Sequence, residues 1–143
     1  MTLNSIPSKP CPCGRNKSYN TCCGVLHRLD KSATTAEDLM RSRYAAFVLA
    51  LGDYLMYSHH SSTRPTNDKT DIENWAKSVK WKGLVVKETV NGGELDNEGI
   101  VEFTAHFKEA GRNRKIEERS KFVKEDKRWV YLGLDGDKKE KPL

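Results

Sequence analysis

The four cysteines of this 143-residue chain all lie between positions 11 and 23, and they constrain its fold more than any other feature. Cys11-Pro12-Cys13 carries one pair of thiols, and Cys22-Cys23 follows after eight residues. Two short turns of this kind can face each other and complete the four-sulfur tetrahedron of a structural zinc ion, with about 2.3 Å from metal to each sulfur. Gly14 and Gly24 permit the backbone angles that tight turns need. The pattern predicts a metal-binding module over residues 10–26.

Two disulfide bonds are the alternative use of these thiols. Adjacent cysteines make strained disulfide partners, and the start of the chain does not look like a secretion signal. We therefore expect a cytoplasmic protein whose thiols stay reduced. The chain has no Cys-x-x-Cys redox pair. The cluster favours a metal site, with zinc as the usual ion and iron as the alternative for a thiolate set. His27 could replace one thiol, but four cysteines suffice, and we interpret it as a bystander.

Residues 11–24, CPCGRNKSYNTCCG, resemble the SEC-C motif, the small metal-binding element at the C-terminus of the SecA translocation ATPase. The likeness covers the whole motif, including the basic Lys17, the aromatic Tyr19 and the closing Gly24. It implies a partner in the secretion or translation machinery, such as an export chaperone or the ribosome. It also implies that the metal ligands are Cys11, Cys13, Cys22 and Cys23. A bound metal would fold this short segment and so present a rigid docking patch, which consists of Arg15, Lys17, Tyr19 and Asn20.

The charge of the chain is uneven. Residues 1–32 carry five cations against one carboxylate, which is +4 of the total of +5. Four thiolates around a divalent ion carry −2 together, so the module itself keeps about +2. That charge suits an acidic protein surface, and it suits RNA phosphates less well because a dedicated nucleic-acid binder is more basic.

The middle of the chain has helical patterns. Thr34-x-x-Glu37 is a capping box, and it predicts a helix that runs to Leu51 and ends at Gly52. Its apolar stripe has spacings of three and four: Leu39, Met40, Tyr44, Phe47, Val48 and Leu51. A short second helix is predicted from Asp53 to His59-His60, and a third over residues 71–79.

The second half alternates with period two, which is typical of strands. The predicted strands cover residues 81–90, 100–108, 115–124 and 129–134. Helices followed by an antiparallel meander predict an α+β fold over residues 34–135, with the sheet curled around the first helix. Residues 1–9 are predicted to be a flexible lead, 27–33 a linker and 136–143 a charged tail. No apolar run approaches the roughly 20 residues that span a bilayer, so we expect no membrane insertion.

Two charged residues occupy positions that the pattern turns inward. Arg43 lies within the helix stripe, and Glu118 shares a strand face with Ile116 and Phe122. Because an unpaired buried charge costs several kcal/mol, we predict that they pair. Such a pair could form the polar floor of a ligand cavity or simply lock the helix to the sheet.

The helix–sheet part is similar to the YchJ family. The likeness rests on several short segments, which are Leu39-Met40-Arg41-Ser42-Arg43-Tyr44, Asp53-Tyr54-Leu55, His60, Ser62-Thr63-Arg64-Pro65, Trp81, Val101-Glu102-Phe103, Ala105, Glu118-x-Ser120-x-Phe122 and Trp129-x-Tyr131. It implies a nuclear-transport-factor-2-like domain, a cone of sheet around a helix with a cavity at its mouth. Our leading hypothesis is a non-enzymatic, metal-binding adaptor. The alternative is an enzyme or small-ligand-binding protein that uses cavity residues Arg43, His60 and Glu118.

Overall fold

A computed structural model describes residues 9–135. Apart from Lys9, the predicted lead and tail lie outside that range. The helices are α1 (Cys23–His27), α2 (Ala36–Val48), α3 (Gly52–Tyr57) and α4 (Lys69–Ser78), and the strands are β1 (Lys80–Asn91), β2 (Glu98–Glu109), β3 (Arg112–Glu125) and β4 (Arg128–Leu134). The strands form one antiparallel sheet in the order β1-β2-β3-β4. The predicted α+β fold with a meander is confirmed.

The sheet packs its inner face on α2. Val101, Phe103, Ala105 and Phe107 are buried along β2, as their alternation predicted. One apolar cluster joins the first half of α2 to the sheet and contains Ala36, Leu39, Met40, Val101, Phe103, Phe122, Trp129 and Tyr131. A second cluster joins the second half of α2 to α3 and α4 and contains Ala46, Phe47, Tyr54, Leu55 and Ala76, with Trp75 and Trp81 packed against it.

Helix α2 begins one residue later than the capping box predicted. Thr35 has extended backbone angles, and its hydroxyl accepts a hydrogen bond from the Asp38 N–H at 3.0 Å. The Thr34 hydroxyl instead donates to the Asp38 carboxylate at 2.9 Å. The Ala36 N–H donates to Gly92 O at 2.9 Å. This bond to the β1–β2 turn fixes the chain on the sheet before the helix starts.

Helix α2 also ends earlier than predicted, at Val48 rather than Leu51. Ala50 takes the left-handed conformation, with φ of 56°. Gly52 does not end α2 but begins α3. The Gly52 N–H donates to the Glu73 carboxylate of α4 at 3.2 Å. A Cβ atom at position 52 would meet this Glu73 side chain, which would have to move.

Candidate metal centre

The four thiols converge in the fold. Their sulfur atoms all lie within 4.8 Å of one another, and Cys13 Sγ is 3.6 Å from Cys22 Sγ. A tetrahedral zinc–thiolate site has sulfur–sulfur edges of about 3.8 Å, so the cluster needs little adjustment to close around an ion. Three of the cysteines are buried and Cys22 is partly exposed, and all four are free thiols. The predicted ligand set is brought together by the fold.

Backbone hydrogen bonds shape both ligand turns. The Cys11 N–H donates to Lys17 O at 2.8 Å and the Gly14 N–H donates to Cys11 O at 3.3 Å, which closes the first turn. Gly14 has φ of 87°, a left-handed conformation that glycine adopts without strain. The second turn is a 3₁₀ turn over Tyr19–Thr21 that leads into Cys22 and α1.

The thiols perturb one another strongly. Hydrogen bonds from the Cys11 and Cys23 thiols, together with the backbone N–H of Arg15, hold the pKa of Cys13 far below its ordinary value. Hydrogen bonds with the Cys11 and Cys13 thiols, together with burial, raise the pKa of Cys23, and burial raises that of Cys22 to about 11. Four soft sulfur donors that compete for protons at this spacing fit a thiolate-bound metal ion.

Helix α2 holds the first ligand turn in place. The Arg41 guanidinium donates to Cys13 O at 2.8 Å and to Glu37 at 2.9 Å. Arg15 forms ion pairs with Asp38 at 2.6 Å and with Glu37 at 3.5 Å. Arg41 therefore supports the backbone of a ligand residue, a role that the sequence analysis did not identify.

His27 connects the second ligand turn to the same helix. Its Nε2 lies 2.8 Å from Ser42 O, and its Nδ1 lies 2.7 Å from the Tyr19 hydroxyl. A carbonyl oxygen can only accept, so Nε2 carries the proton and Nδ1 accepts from Tyr19. Burial lowers the pKa of His27, which favours this neutral form. His27 joins the module to α2, and residue 27 belongs to α1 rather than to the predicted linker.

Alanine at position 45 lets the module sit against α2. Ala45 is fully buried and forms an apolar cluster with Cys11, Cys13 and Cys23. It lies on the side of α2 away from the predicted stripe. The sequence signal for this contact is the run of small residues Ser42, Ala45 and Ala46 at spacings of three and four, which indicates a second packed face.

The predicted docking residues differ in their surroundings. Arg15 and Tyr19 are half-buried, and their side chains bond to other residues of the protein. Lys17 and Asn20 are exposed, and Asn20 O accepts a hydrogen bond from Arg28 at 3.0 Å. The outward part of the predicted patch is therefore Lys17 and Asn20.

The predicted cavity lies between α2 and the sheet. Arg43 and Glu118 are both buried and line it together with Met40, Tyr44, Phe47, Phe103, Ser120, Phe122 and Tyr131. Side chains fill most of the space and leave about 10 Å³ for the centres of water-sized molecules. Burial lowers the pKa of Arg43 to about 10, while nearby Tyr131, Tyr54 and Glu118 favour its cation. The pairing of Arg43 with Glu118 stays a prediction.

His60 lies outside the lining of this cavity. His59 pairs with Tyr131 in a short parallel bridge, so neighbouring side chains point to opposite sides. His59 points inward, and its ring meets that of Tyr131 edge-on at 4.9 Å. The His60 ring contacts the Ser62 hydroxyl at 2.7 Å and the Glu125 carboxylate at 3.6 Å.

The fold and the site define a class of protein: a cysteine-rich module that can hold a metal ion, fixed to a nuclear-transport-factor-2-like domain. The family model described as YchJ, middle NTF2-like domain, matches residues 35–134. A UPF0225 protein of Bordetella pertussis is 45% identical over 139 residues, covering 94% of this chain and 98% of that protein. A UPF0225 protein of Streptomyces coelicolor is 40% identical, covering 92% and 98%. The chain belongs to the YchJ family.

Solved structures support the same assignment. The solution structure of a SEC-C motif containing protein from Rhodopseudomonas palustris has a TM-score of 0.79 and 33% identity, covering 91% of this chain and all of that one. The crystal structure of a SEC-C motif containing protein from Psychrobacter arcticus has a TM-score of 0.73 and 31% identity, covering 99% and 88%.

Within residues 9–135, no helix has both the length and the apolar character needed to cross a membrane.

Proposed function

We propose that this protein is a zinc-binding adaptor whose SEC-C module docks on a protein or ribosomal partner linked to secretion or translation. The observation that carries the proposal is the closed set of four thiols, all within 4.8 Å of one another. Four protein ligands leave no open position for water or substrate, so the ion is structural. Zinc is favoured over iron because tetrahedral thiolate sites with a purely structural role commonly hold it.

The attachment of the module supports a docking role. The bonds from Arg15 and His27 to α2, and from Arg41 of α2 to Cys13 O, fix the orientation of the metal turns relative to the rest of the domain. A fixed module presents the exposed Lys17 and Asn20 in one arrangement, which reduces the entropy lost when a partner binds. Resemblance to the SecA element gives the class of partner.

The metal is tested first. Protein purified without added metal should contain one zinc ion per chain by elemental analysis, and Cys22→Ser/Cys23→Ser should lose it. Iron at the same stoichiometry would replace zinc in the proposal, and a metal-free chain that folds normally would contradict it.

Docking is tested with variants that keep the metal. We expect the zinc-loaded protein to cosediment with purified bacterial ribosomes or to bind a purified export chaperone, and Lys17→Glu to weaken that binding. Lys69→Glu is the control for the same change of charge outside the module, because Lys69 is a partly exposed cation on α4 that pairs with Asp53. Equal binding by both variants would rule out the module as the docking surface.

One observation favours a second candidate, ligand binding or catalysis in the α2–sheet cavity. Among the side chains of residues 9–135, the buried Tyr131 hydroxyl lacks a hydrogen-bond partner, and it lies on the cavity that Arg43 and Glu118 also line. The space suits a molecule no larger than about one water. A thermal-stability screen of small carboxylates and amides tests this candidate: a raised unfolding temperature would support it, and no shift would contradict it.

A further inference from the structure

One end of the sheet carries more positive charge than the whole molecule. It comprises residues 77–82, where α4 leads into β1, and residues 106–115, around the β2–β3 turn. We call these two segments the basic end. They contain seven cations against one carboxylate, a net +6 in a chain whose total is +5. All seven cations are exposed, and they are Lys77, Lys80, Lys82, Lys108, Arg112, Arg114 and Lys115.

The strand register brings two of these charges together on one face of the sheet, whereas Arg112 and Arg114 lie opposite Glu109 and Phe107, on the other face of β3. Lys80 lies directly opposite Lys108, and Lys108 lies directly opposite Asn113, so three neighbouring strands present one row. The next pair along, Trp81 and Phe107, faces the core, with ring centroids 5.5 Å apart. Side chains alternate along a strand, so the row lies on the outer face of the sheet. Like charges directly opposite each other destabilise a sheet, so a bound anion would offset an existing repulsion.

Fewer of the cations at the basic end form ion pairs than of those elsewhere on the outer face of the sheet. Elsewhere, Lys87 pairs with Glu117 at 3.5 Å, Arg119 with Glu102 at 3.0 Å and Lys121 with Glu98 at 3.6 Å. At the basic end, Arg114 pairs with Glu109 and Lys115 with Glu117. Within the described residues, the other five cations form no ion pair: Lys77, Lys80, Lys82, Lys108 and Arg112. The charge of the basic end is therefore largely uncompensated.

The side chains of the basic end indicate which class of partner it fits. Protein interfaces place aromatic and apolar side chains at their centre, whereas the exposed large apolar side chains of residues 9–135 lie outside the basic end: Leu29, Leu49, Tyr57, Val85 and Leu95. The basic end has no exposed Phe, Tyr or Trp ring on which unpaired bases could stack, and its exposed ring is the single imidazole of His106. Trp75 and Trp81 are only partly exposed and pack on each other at 5.5 Å. These features fit the phosphate backbone of a double helix.

We propose that the basic end binds the backbone of double-stranded RNA. The outer face of a sheet is broad and lacks a protruding helix that could enter the major groove of DNA. The minor groove of an RNA helix is wide and shallow and displays ribose 2′-hydroxyl groups. Asn113 stands beside Lys108 in the row, and its side-chain amide can both donate to and accept from such a hydroxyl. This surface is distinct from Lys17 and Asn20 of the metal module, and the inference does not depend on the adaptor proposal.

The test compares two triple variants of the zinc-loaded, full-length protein. Lys80→Gln/Lys82→Gln/Lys108→Gln lowers the net charge of the basic end from +6 to +3, and Lys69→Gln/Lys87→Gln/Lys121→Gln removes the same charge at ion-paired sites. Binding to a fluorescent 20-base-pair RNA duplex is measured by anisotropy between 50 and 200 mM KCl. We expect the basic-end variant to lose about tenfold or more in affinity and its salt slope to fall by about 1 per cation. The control should stay close to the parent protein.

Several outcomes would overturn the inference. The first is that the parent protein does not bind the RNA duplex at 50 mM KCl. The second is that both variants lose the same affinity, which would indicate a response to net charge alone. Equal or tighter binding of a DNA duplex, a single-stranded RNA or polyglutamate at matched charge would contradict the choice of double-stranded RNA. Circular dichroism of both variants checks that any loss does not come from unfolding, and a variant that fails to fold is replaced by its single substitutions.

Discussion

Arg43 is a buried cation, and its hydrogen-bond partners indicate its role. Its guanidinium donates to Leu55 O at 2.9 Å and to the Ser58 hydroxyl at 2.7 Å, and it stands over the Tyr131 ring at 4.8 Å. It therefore binds α3 to α2, in addition to facing Glu118 across the cavity. This favours the structural interpretation of the buried charges over a catalytic one.

Removing Arg43 tests the predicted pair. Arg43→Met should destabilise the protein by about 3–5 kcal/mol, because the buried Glu118 carboxylate loses its nearby cation. The double variant Arg43→Met/Glu118→Leu should recover part of that loss, but not all, since the acceptors on α3 remain unbonded. Urea unfolding of the parent protein, both single variants and the double variant gives the coupling energy. Additive losses would mean that the two residues do not pair.

Tyr131 offers a second test in the same cavity. If its hydroxyl has no partner, Tyr131→Phe should be neutral or slightly stabilising, because it removes a buried polar group without breaking a bond. A loss of about 1 kcal/mol or more in urea unfolding would instead indicate a bound water or ligand on that hydroxyl, and would favour the second candidate function. Phe122→Leu, on the same apolar cluster, serves as a packing control.

His59 makes stability depend on pH. Burial, and then the charge of Arg43, lower its pKa to about 3, against 6.5 in the unfolded chain. Between these values only the unfolded state takes up the proton, so His59 costs stability as pH falls from about 6.5 towards 3, by up to about 1.4 kcal/mol per pH unit. His59→Phe should flatten this slope. Loss of metal in acid affects both proteins, so the difference between their urea midpoints is measured, and parallel curves would contradict the assignment.

For helix α2, the sequence predicts the face that packs on the sheet, but it does not predict the face that packs on the metal module or the residue at which the helix ends. Its stripe toward the sheet was predictable because large apolar residues repeat at helical spacing. Its second face was missed because Ser42 and Ala45 are small and carry no strong apolar signal. A glycine after an apolar stripe predicts the end of a helix, but α2 ends at Val48 with Ala50 in the left-handed conformation, and Gly52 begins α3.

The same distinction holds for the candidate site. The four ligands could be predicted because spacing along the chain alone places two pairs of thiols on two short turns. The contacts that anchor those turns, such as Arg41 to Cys13 O and His27 to Ser42 O, join residues 28 and 15 positions apart. Contacts of that separation depend on the packing of the whole domain, and no local pattern shows them.

Ala45 provides a test of the contact between the module and α2. Ala45→Leu should destabilise the protein by about 1–3 kcal/mol, because the larger side chain has to displace the cysteine turns. It should also speed the release of zinc to a chromogenic chelator, because α2 no longer holds the two cysteine turns in position. Val48→Leu, at a half-buried position on the same helix, should change neither quantity much. Unchanged release from Ala45→Leu would mean that the module is not held by this contact.

At the scale of the molecule, the metal module and the helix–sheet core depend on different interactions. The module has little apolar core of its own beyond the cysteines and Ala45. The remaining domain contains two apolar clusters that do not involve the ligands. A segment as short as residues 10–27 needs its metal to fold, whereas the core has enough buried surface to remain folded without it.

Chelation of the metal should therefore unfold the metal module and leave the helix–sheet core folded. In hydrogen exchange, amides of residues 11–27 should lose protection, while those of β2 and β3 should keep it. The fluorescence of Trp75, Trp81 and Trp129 should change little at 25 °C. The unfolding temperature should fall by several degrees, because α2 loses the contact of Ala45 with the cysteines and its bonds to Cys13 and His27. Adding zinc back should restore protection in the module. If exchange instead rises together in the module and in β2, the module is an integral part of the core, and the metal stabilises the whole chain as one cooperative unit.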